Sequence, residues 1–255
     1  MAQPTTTRTD RPTPADRPSP VPSPPVTSRR QARVTVPTLT VEQGTDLAER
    51  LQRRLVALID LGLTLRHIHW NVVGSNFIAV HEMLDPQHAG VQAMVDDLAE
   101  RIATLGGVPS GLPGRIVDHR SWDDYDLDRA DSIAHLGALD LVYQGVIQEH
   151  RAEIDEVEEL DPVTQDLLIG QTAILEKYHW FVRSHLVDWA GGTANAGATT
   201  ELAAAQAVAA KAHTPTGSRT TRNAGDAGVS GTAATAATAA TTATAADAAV
   251  TAEGR

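Results

Sequence analysis

The sequence predicts an all-α protein: a four-helix bundle with a long crossover connection carrying a short helix, flanked by disordered tails. Three observations lead to this prediction. Apolar residues recur at helical spacing in four long segments, each bounded by capping residues or glycines. No segment alternates convincingly between apolar and polar residues with a period of two. A long segment between the second and third helices favours a crossover over simple up-and-down hairpins.

The first predicted helix begins near Val41, because Thr40 and Gln43 have the spacing of a capping box. A stripe of leucines at helical spacing then leads to His69. These leucines are Leu47, Leu51, Leu55, Leu58 and Leu65. The helix is expected to end at the Val-Val-Gly sequence of residues 72–74.

The second predicted helix starts after residues 75–76 and ends at the glycine pair 106–107. Pro86 lies inside it and removes one backbone donor. One interpretation is a kink that the bundle tolerates, and the other is a kink that aims the preceding Asp85. Residues 108–128 contain two prolines and two glycines, so they form the long connection, with room for one short helix.

The third predicted helix runs from about Asp131 to Leu160. Asp161 then caps a fourth helix whose first position is Pro162. The glycine pair at residues 191–192 is expected to end this helix. Its inward-facing residues are predicted to be Val163, Leu167, Ile174, Tyr178 and Phe181.

Composition divides the chain into three parts. Residues 1–36 hold most of the prolines and carry a net charge of +4, whereas residues 37–190, the folded centre, carry −15. Residues 191–255 consist mostly of Ala, Thr and Gly and have no net charge. Neither tail has enough large apolar residues to offset the entropy of ordering, so both are predicted to be disordered.

The chain contains no cysteine, which excludes disulfides, thiolate metal sites and thiol catalysis. It has neither the apolar core of a signal peptide at its start nor an apolar run of 18 residues. We therefore expect a soluble, cytoplasmic protein.

Two histidines and three carboxylates stand at fixed spacing around the end of the first helix and along the second. They are His69, His81, Asp85, Asp96 and Glu100. Imidazole and carboxylate together suit iron better than structural zinc. On one helix the last four share a face roughly 100° wide, yet Asp85 and Asp96 lie about 16 Å apart along the axis. One metal cluster reaches both ends only if a second copy lies antiparallel across a two-fold axis, so the site predicts a dimer.

The stretch from His69 to Phe77, together with the carboxylates that follow, resembles the Dps family of mini-ferritins (DNA-binding proteins from starved cells). The resemblance covers roughly residues 38–190, and all five ligand positions match in type and order. It implies a ferritin-like bundle assembled into a homododecamer. It also implies oxidation of Fe(II), preferentially by hydrogen peroxide, storage of ferric iron inside the shell, and protection of DNA from oxidative damage.

The resemblance further implies roles for single residues. His69, His81 and Asp85 of one subunit are expected to face the other two carboxylates on its two-fold neighbour, holding one or two irons. Trp70 matches a family tryptophan near this centre, where it is expected either to donate electrons when iron is short or to pack as an interface aromatic.

Histidines outside this set are expected to be structural. His67 is predicted to lie on a different, exposed helical face, and His88 at the surface rather than as an auxiliary ligand. Glu176 and His179 have the E-x-x-H spacing of ordinary ferritins. We interpret this match as chance, because that site also needs a second such motif and mid-helix glutamates on two other helices.

Asp161 and Asp166, around the start of the fourth helix, match acids that line the pores through which iron enters in this family. An acidic pore concentrates Fe²⁺ at its mouth. The alternative is that these acids only compensate the helix dipole.

An acidic centre repels DNA, so DNA binding is expected from the tails. The front tail offers Arg8, Arg11, Arg17, Arg29, Arg30 and Arg33. A smaller basic patch after the fourth helix contains Lys211, His213, Arg219 and Arg222. Binding through these residues is expected to be salt-sensitive and independent of sequence, and it places the protein at the nucleoid. The alternative is that the tails only aid solubility.

Three functional hypotheses remain at this point. The first is an iron-oxidising and iron-storing enzyme that also protects DNA. The second is a mainly structural, nucleoid-compacting protein with a secondary iron centre. The third is a helical oligomer with neither activity.

Overall fold

The structure, a computed structural model, describes residues 34–212 and confirms the predicted four-helix bundle. Its helices are α1 (Val41–Asn71), α2 (Phe77–Thr104), α3 (Pro113–His119), α4 (Ser132–Val157), α5 (Pro162–Ser184) and α6 (Glu201–Ala212). Two short strands, β1 (Val72–Val73) and β2 (Ala130–Asp131), pair in parallel. The bundle consists of α1 packed on α2 and α4 packed on α5, and the crossover carries α3. No helix within residues 34–212 is both long enough and apolar enough to cross a membrane.

The capping box at the start of α1 forms as predicted. The Thr40 hydroxyl accepts from the Gln43 backbone N–H at 3.1 Å, and the Thr40 N–H donates to the Gln43 side chain at 2.8 Å. The leucine stripe of α1 is fully buried. At the other end Gly74 has a φ of +104°, and a Cβ there would lie 2.1 Å from an oxygen of Asp131. Only glycine therefore fits this turn, which sets the angle between α1 and α2.

Pro86 lies inside one continuous helix, which is compatible with both interpretations of the proline. Next to it the Tyr178 hydroxyl donates to the Pro86 carbonyl at 3.4 Å. Gly90 permits this approach, because a Cβ there would meet the tyrosine oxygen at 2.2 Å. An α5 side chain thus packs against the turn where the proline interrupts the backbone hydrogen bonds.

The predicted inward face of the fourth helix, α5, is only partly correct, because Leu167 and Tyr178 pack against the core but Val163 and Ile174 do not. Val163 is 62 % exposed and Ile174 is 43 % exposed, while Leu167, Tyr178 and Phe181 are half-buried. The buried apolar stripe consists of Leu168, Leu175 and Val182. Polar residues share that buried face, namely Thr164, Gln171 and Thr172, so hydrophobicity alone did not identify it.

The helix ends also differ from the prediction. α5 stops at Ser184, well before the glycine pair, because Asp188 organises a tight loop by accepting from the N–H groups of Ala190 and Gly192. α4 ends at Val157, and the N–H groups of Leu160 and Asp161 both donate to the Val157 carbonyl.

Residues 191–212 differ from the predicted disordered tail, because the structure describes them as a loop and the helix α6. Ala204, Ala205 and Val208 of α6 are buried against α4. Gly137 of α4 permits this close packing, since a Cβ there would lie 2.8 Å from Val208. An isolated helix of this length is marginal, so packing on α4 supplies the stability that the sequence pattern could not reveal.

A buried polar cluster fastens α6 to the bundle. The Asn195 side-chain amide donates to Asp140 at 2.8 Å and to the Gly137 carbonyl at 3.2 Å, and His179 of α5 pairs with the same Asp140 at 2.8 Å. Burial raises the pKa of Asp140, but hydrogen bonds from His179 and Asn195 and nearby positive charge outweigh it, so the pKa lies below its usual range. The carboxylate is therefore ionised at neutral pH, when it binds Asn195 most strongly.

We predict that Asn195→Ala releases α6 while the four long helices stay folded. The change removes the donor to Asp140 Oδ2 and the side-chain donor to the Gly137 carbonyl, while His179 still pairs with Asp140 Oδ1, at a cost of roughly 1–3 kcal/mol in α6 docking. Hydrogen exchange of the α6 amides should therefore accelerate by at least ~10-fold.

The matched control is Gln206→Ala, which alters an exposed α6 side chain and should leave exchange unchanged. Equal protection of α6 in the Asn195→Ala variant and the wild type would show that the polar cluster does not hold the helix.

Candidate metal centre

The turn between α1 and α2 brings His69 and His81 into contact. Their rings stack with centroids 3.7 Å apart and an interplanar angle of 22°. His69 Nδ1 lies 3.1 Å from the His81 carbonyl, and His81 Nδ1 lies 2.9 Å from the His69 carbonyl. A carbonyl only accepts, so both Nδ1 atoms carry a hydrogen. In each neutral ring the lone pair is then on Nε2, the state that a metal ligand requires.

Asp85 stands beside this pair, one turn after His81. Its Oδ1 lies 3.5 Å from His69 Nδ1 and 3.0 Å from an Arg66 guanidinium nitrogen. The Phe77 ring lies 5.0 Å from the ring of His81 and covers it from the start of α2. Asp85 is half-exposed and already paired with a cation, so any metal must compete with Arg66 for it.

Asp96 and Glu100 are exposed on α2, one helical turn apart. At about 1.5 Å per residue, Asp96 stands roughly 16 Å along the helix from Asp85. Within residues 34–212 no three His, Cys, Asp or Glu side chains are placed to share one metal ion. One chain therefore presents two separate groups, the histidine pair and the distal carboxylate pair.

Trp70 follows His69 and is 74 % exposed in the single chain. It takes no part in the core of its own subunit. Its two predicted roles, electron donor and interface aromatic, are both compatible with this position, so both stay open.

The expected positions of the other histidines are partly wrong. His67 is half-buried rather than exposed, because it lies 2.7 Å from the Leu127 carbonyl in the crossover and donates to it from Nε2. His88 is also half-buried. Burial lowers the pKa of His88, and the positive charge of Arg66 lowers it further.

The E-x-x-H match is chance, as interpreted from the sequence. His179 Nε2 lies 2.8 Å from Asp140, in the cluster that fastens α6. Glu176 instead accepts from Arg151 at 2.6 Å. The two side chains therefore have separate partners and share no site.

Asp161 caps α5 by accepting from the Thr164 N–H at 3.2 Å, and it also pairs with Arg101. Burial raises the pKa of Asp161, but hydrogen bonds from Thr164 and Arg101 and the Arg101 charge outweigh it, so the pKa lies below its usual range. The capping role is confirmed. Arg101 offsets the charge of this carboxylate, whereas Asp166 is exposed. The pore role of the two acids stays a prediction.

The residues predicted to bind DNA lie mostly outside residues 34–212. Those outside are Arg8, Arg11, Arg17, Arg29, Arg30, Arg33, Arg219 and Arg222, together with His213. Lys211 lies in the last turn of α6, where its ammonium group donates to the Thr193 carbonyl at 3.3 Å.

Sequence reasoning missed Arg66. The signal that could have found it is a cation one turn before His69, on the face of α1 that meets Asp85 of α2. It could be recognised as a partner of Asp85 only once the angle between the two helices was known.

Comparisons with known proteins agree with this geometry. A family model described as a ferritin-like domain matches residues 48–191. The chain is 52 % identical over 171 residues to the DNA protection during starvation protein of Mycolicibacterium smegmatis, covering 67 % of this chain and 93 % of that protein. It is 50 % identical over 157 residues to the fine tangled pili major subunit of Haemophilus ducreyi, covering 62 % and 83 %.

A solved structure, DpsA14 from Streptomyces coelicolor, shares 54 % sequence identity and superposes with a TM-score of 0.64, covering 66 % of this chain and 99 % of that one. Fold, paired histidines and sequence similarity thus lead to the same assignment. The chain belongs to the Dps family of ferritin-like proteins.

Proposed function

We propose that this protein is a mini-ferritin that oxidises Fe(II), preferentially with hydrogen peroxide, and stores ferric iron inside a dodecameric shell. The observation that supports this proposal most strongly is the reciprocal pair of hydrogen bonds between His69 and His81. These bonds leave a lone pair on Nε2 of each of two stacked rings, with the Asp85 carboxylate close to the His69 ring. Iron is the substrate of this site.

The proposed centre lies at a two-fold interface. His69, His81 and Asp85 bind iron from one side, and Asp96 and Glu100 of the partner subunit bind it from the other. Imidazole and carboxylate ligands accept Fe(II), and the added negative charge stabilises Fe(III). A two-fold contact forms two such centres per dimer.

Peroxide accepts two electrons, so two Fe(II) ions reduce it to water without forming an oxygen radical. Holding the ions in one centre therefore keeps the reaction from releasing radicals. When only one Fe(II) is present, Trp70 is a candidate electron donor, because it is exposed next to His69. Its alternative role is packing at the two-fold contact.

The net negative charge of residues 37–190 supports the proposed entry of Fe²⁺ into the shell. A negative pore mouth raises the local concentration of Fe²⁺. Asp166 is exposed and suits this role, while Asp161 contributes less because Arg101 offsets its charge.

We further propose that the protein protects DNA in the cytoplasm, at the nucleoid, and binds DNA non-specifically through its tails. A relative that is 52 % identical over 171 residues is named a DNA protection during starvation protein. Twelve copies of a +4 front tail would bind phosphates cooperatively, since linked weak contacts add avidity. A mainly structural DNA-compacting role with a secondary iron centre is the alternative, and the tests below separate the two.

Subunit complementation tests the shared iron centre. We predict that His69→Ala and Asp96→Ala each reduce Fe(II) oxidation by peroxide at least ~10-fold, because ligand geometry is lost. A co-assembled mixture should regain activity, since each mixed dimer has one centre with all ligands intact. With random pairing about a quarter of the centres recover. Stopped-flow absorbance of ferric iron measures the rate.

The control is Asp97→Ala, which changes an exposed acid beside Asp96 on the same helix and should retain wild-type activity. No recovery in well-mixed assemblies would exclude a centre shared between subunits. Full activity of both single variants would exclude the iron site itself.

Arg66→Gln should strengthen iron binding. The change removes the ion pair that occupies Asp85 and a positive charge near the incoming dication. Exposed ion pairs contribute roughly 0.2–1 kcal/mol, so we predict a several-fold tighter Kd for anaerobic Fe(II), measured by calorimetry. Arg53→Gln, which removes another partly exposed arginine of α1, is the control. Weaker binding in Arg66→Gln would show that Arg66 supports the site rather than competing for it.

DNA binding should depend on the front-tail arginines. Replacing all six with glutamine in the full chain should weaken duplex binding in gel shifts and flatten the dependence of affinity on salt, since fewer counterions are released. The iron oxidation rate should stay unchanged. Equal affinity and equal salt slope would remove the front tail from the DNA-binding proposal.

A further inference from the structure

The three tyrosines of the chain differ in the group that accepts a hydrogen bond from the hydroxyl. The hydroxyl of Tyr143 donates to the Gln87 side-chain carbonyl at 2.7 Å, and that of Tyr178 donates to the Pro86 carbonyl at 3.4 Å. The Tyr125 hydroxyl lies 3.1 Å from an imidazole nitrogen, His135 Nδ1, and 3.4 Å from the His135 backbone carbonyl, so the imidazole is its nearer acceptor. An imidazole nitrogen accepts a proton far more readily than an amide oxygen does, even where burial lowers the imidazole pKa.

His135 is suited to accept that proton. It is fully buried on α4, and its ring stacks on the Tyr125 ring with centroids 6.0 Å apart. Burial lowers the pKa of His135 to about 4, so the ring is neutral at pH 7. The tautomer with its hydrogen on Nε2 accepts the Tyr125 hydroxyl hydrogen at Nδ1. Burial also raises the pKa of Tyr125, so the phenol keeps its proton until an electron leaves.

Tyr125 contacts the last turns of α1, the helix that carries His69. The edge of its ring meets the His67 ring, with centroids 5.8 Å apart, and His67 precedes His69 by two residues. His67 is fixed by its bond to the Leu127 carbonyl, and the β1–β2 pairing joins the same crossover segment to the end of α1. The crossover segment that carries Tyr125 is therefore fastened to the end of α1, where His69 lies.

We propose that Tyr125 and His135 form a redox-active pair that supplies the second electron when peroxide meets a single Fe(II). This inference rests on the proposed iron oxidation. The O–O bond of peroxide breaks as Fe(II) and Tyr125 give one electron each. The phenol proton moves to His135 Nδ1. The products are Fe(III), two hydroxide ions, the neutral tyrosyl radical and the imidazolium of His135.

Tyr125 differs from Trp70 in its exposure to solvent. Trp70 is 74 % exposed, so in a single chain an oxidised indole faces solvent. Tyr125 is half-buried and its hydroxyl is engaged, so an oxidised Tyr125 is shielded until a later Fe(II) reduces it. The oxidising equivalent is thereby kept within the protein and away from DNA.

Electron paramagnetic resonance of freeze-quenched samples tests the proposal. The full-length protein, without oxygen, is loaded with one Fe(II) per centre and mixed with peroxide. We expect a tyrosyl signal in the wild type and in the Tyr178→Phe control, and at least a ~10-fold smaller signal in Tyr125→Phe. Loading two Fe(II) per centre should also suppress the signal, since both electrons then come from iron.

The histidine is tested separately. His135→Gln keeps a polar side chain but removes the proton acceptor, so the tyrosyl signal should fall while Tyr125 remains. Protein labelled with ring-deuterated tyrosine gives a second measurement without any substitution, because deuterium narrows a tyrosyl spectrum and leaves other signals unchanged. A signal that persists in Tyr125→Phe, or that does not narrow on labelling, overturns the proposal.

Ferric absorbance recorded on the same samples separates this inference from the proposed function. If Fe(III) forms at one iron per centre without a tyrosyl signal, the redox pair is excluded while the iron oxidation stands. If no Fe(III) forms, the proposed function fails, and the inference fails with it.

Discussion

The proposed iron centre depends on the two hydrogen bonds that join His69 and His81 across the turn between α1 and α2. Each ring uses Nδ1 to bind the other residue's backbone, which fixes both ring orientations and directs both lone pairs to Nε2. The turn that makes this possible needs Gly74, because Asp131 fills the space of any Cβ. Asp131 also caps α4, so the geometry of the histidine pair is linked to the start of the third long helix.

Charge explains why one chain would supply only half of the proposed iron centre. The two rings are held by neutral backbone carbonyls, and the nearby Asp85 carboxylate is paired with Arg66. Little net negative charge is left for a dication. The ligands also lie at the edge of the bundle, while leucines fill the core of α1. The core of the bundle contains none of the proposed ligands, so in the proposed function iron binding is tied to assembly instead of folding.

The sequence predicted most of the fold because its signals were local. The Thr40 capping box, the leucine stripe of α1 and the Asp161 cap each involve neighbouring residues, and each appears as expected. The errors concern contacts between distant segments. α6 is held by Gly137 and Asn195, and His67 is covered by the crossover, so neither burial could be read from helical periodicity.

The candidate site, like the fold, has features that the sequence predicted and features that it did not. The proposed ligands and their spacing on α2 were predicted from the sequence, and so was a second copy, since about 16 Å separates the two carboxylate positions; these stay predictions. The competing Arg66 and the Tyr125–His135 pair could not be predicted, because both depend on the angle and register between elements far apart in the chain.

Anomalous diffraction at the iron edge, from crystals of the assembled protein soaked in Fe(II), tests the central claim most directly. The account predicts iron within about 2.0–2.3 Å of His69 and His81 Nε2 and of a carboxylate from Asp96 or Glu100 of the partner subunit. Iron bound elsewhere, or histidines and partner carboxylates more than ~8 Å apart, too far for bonds of about 2 Å to bridge, would contradict it.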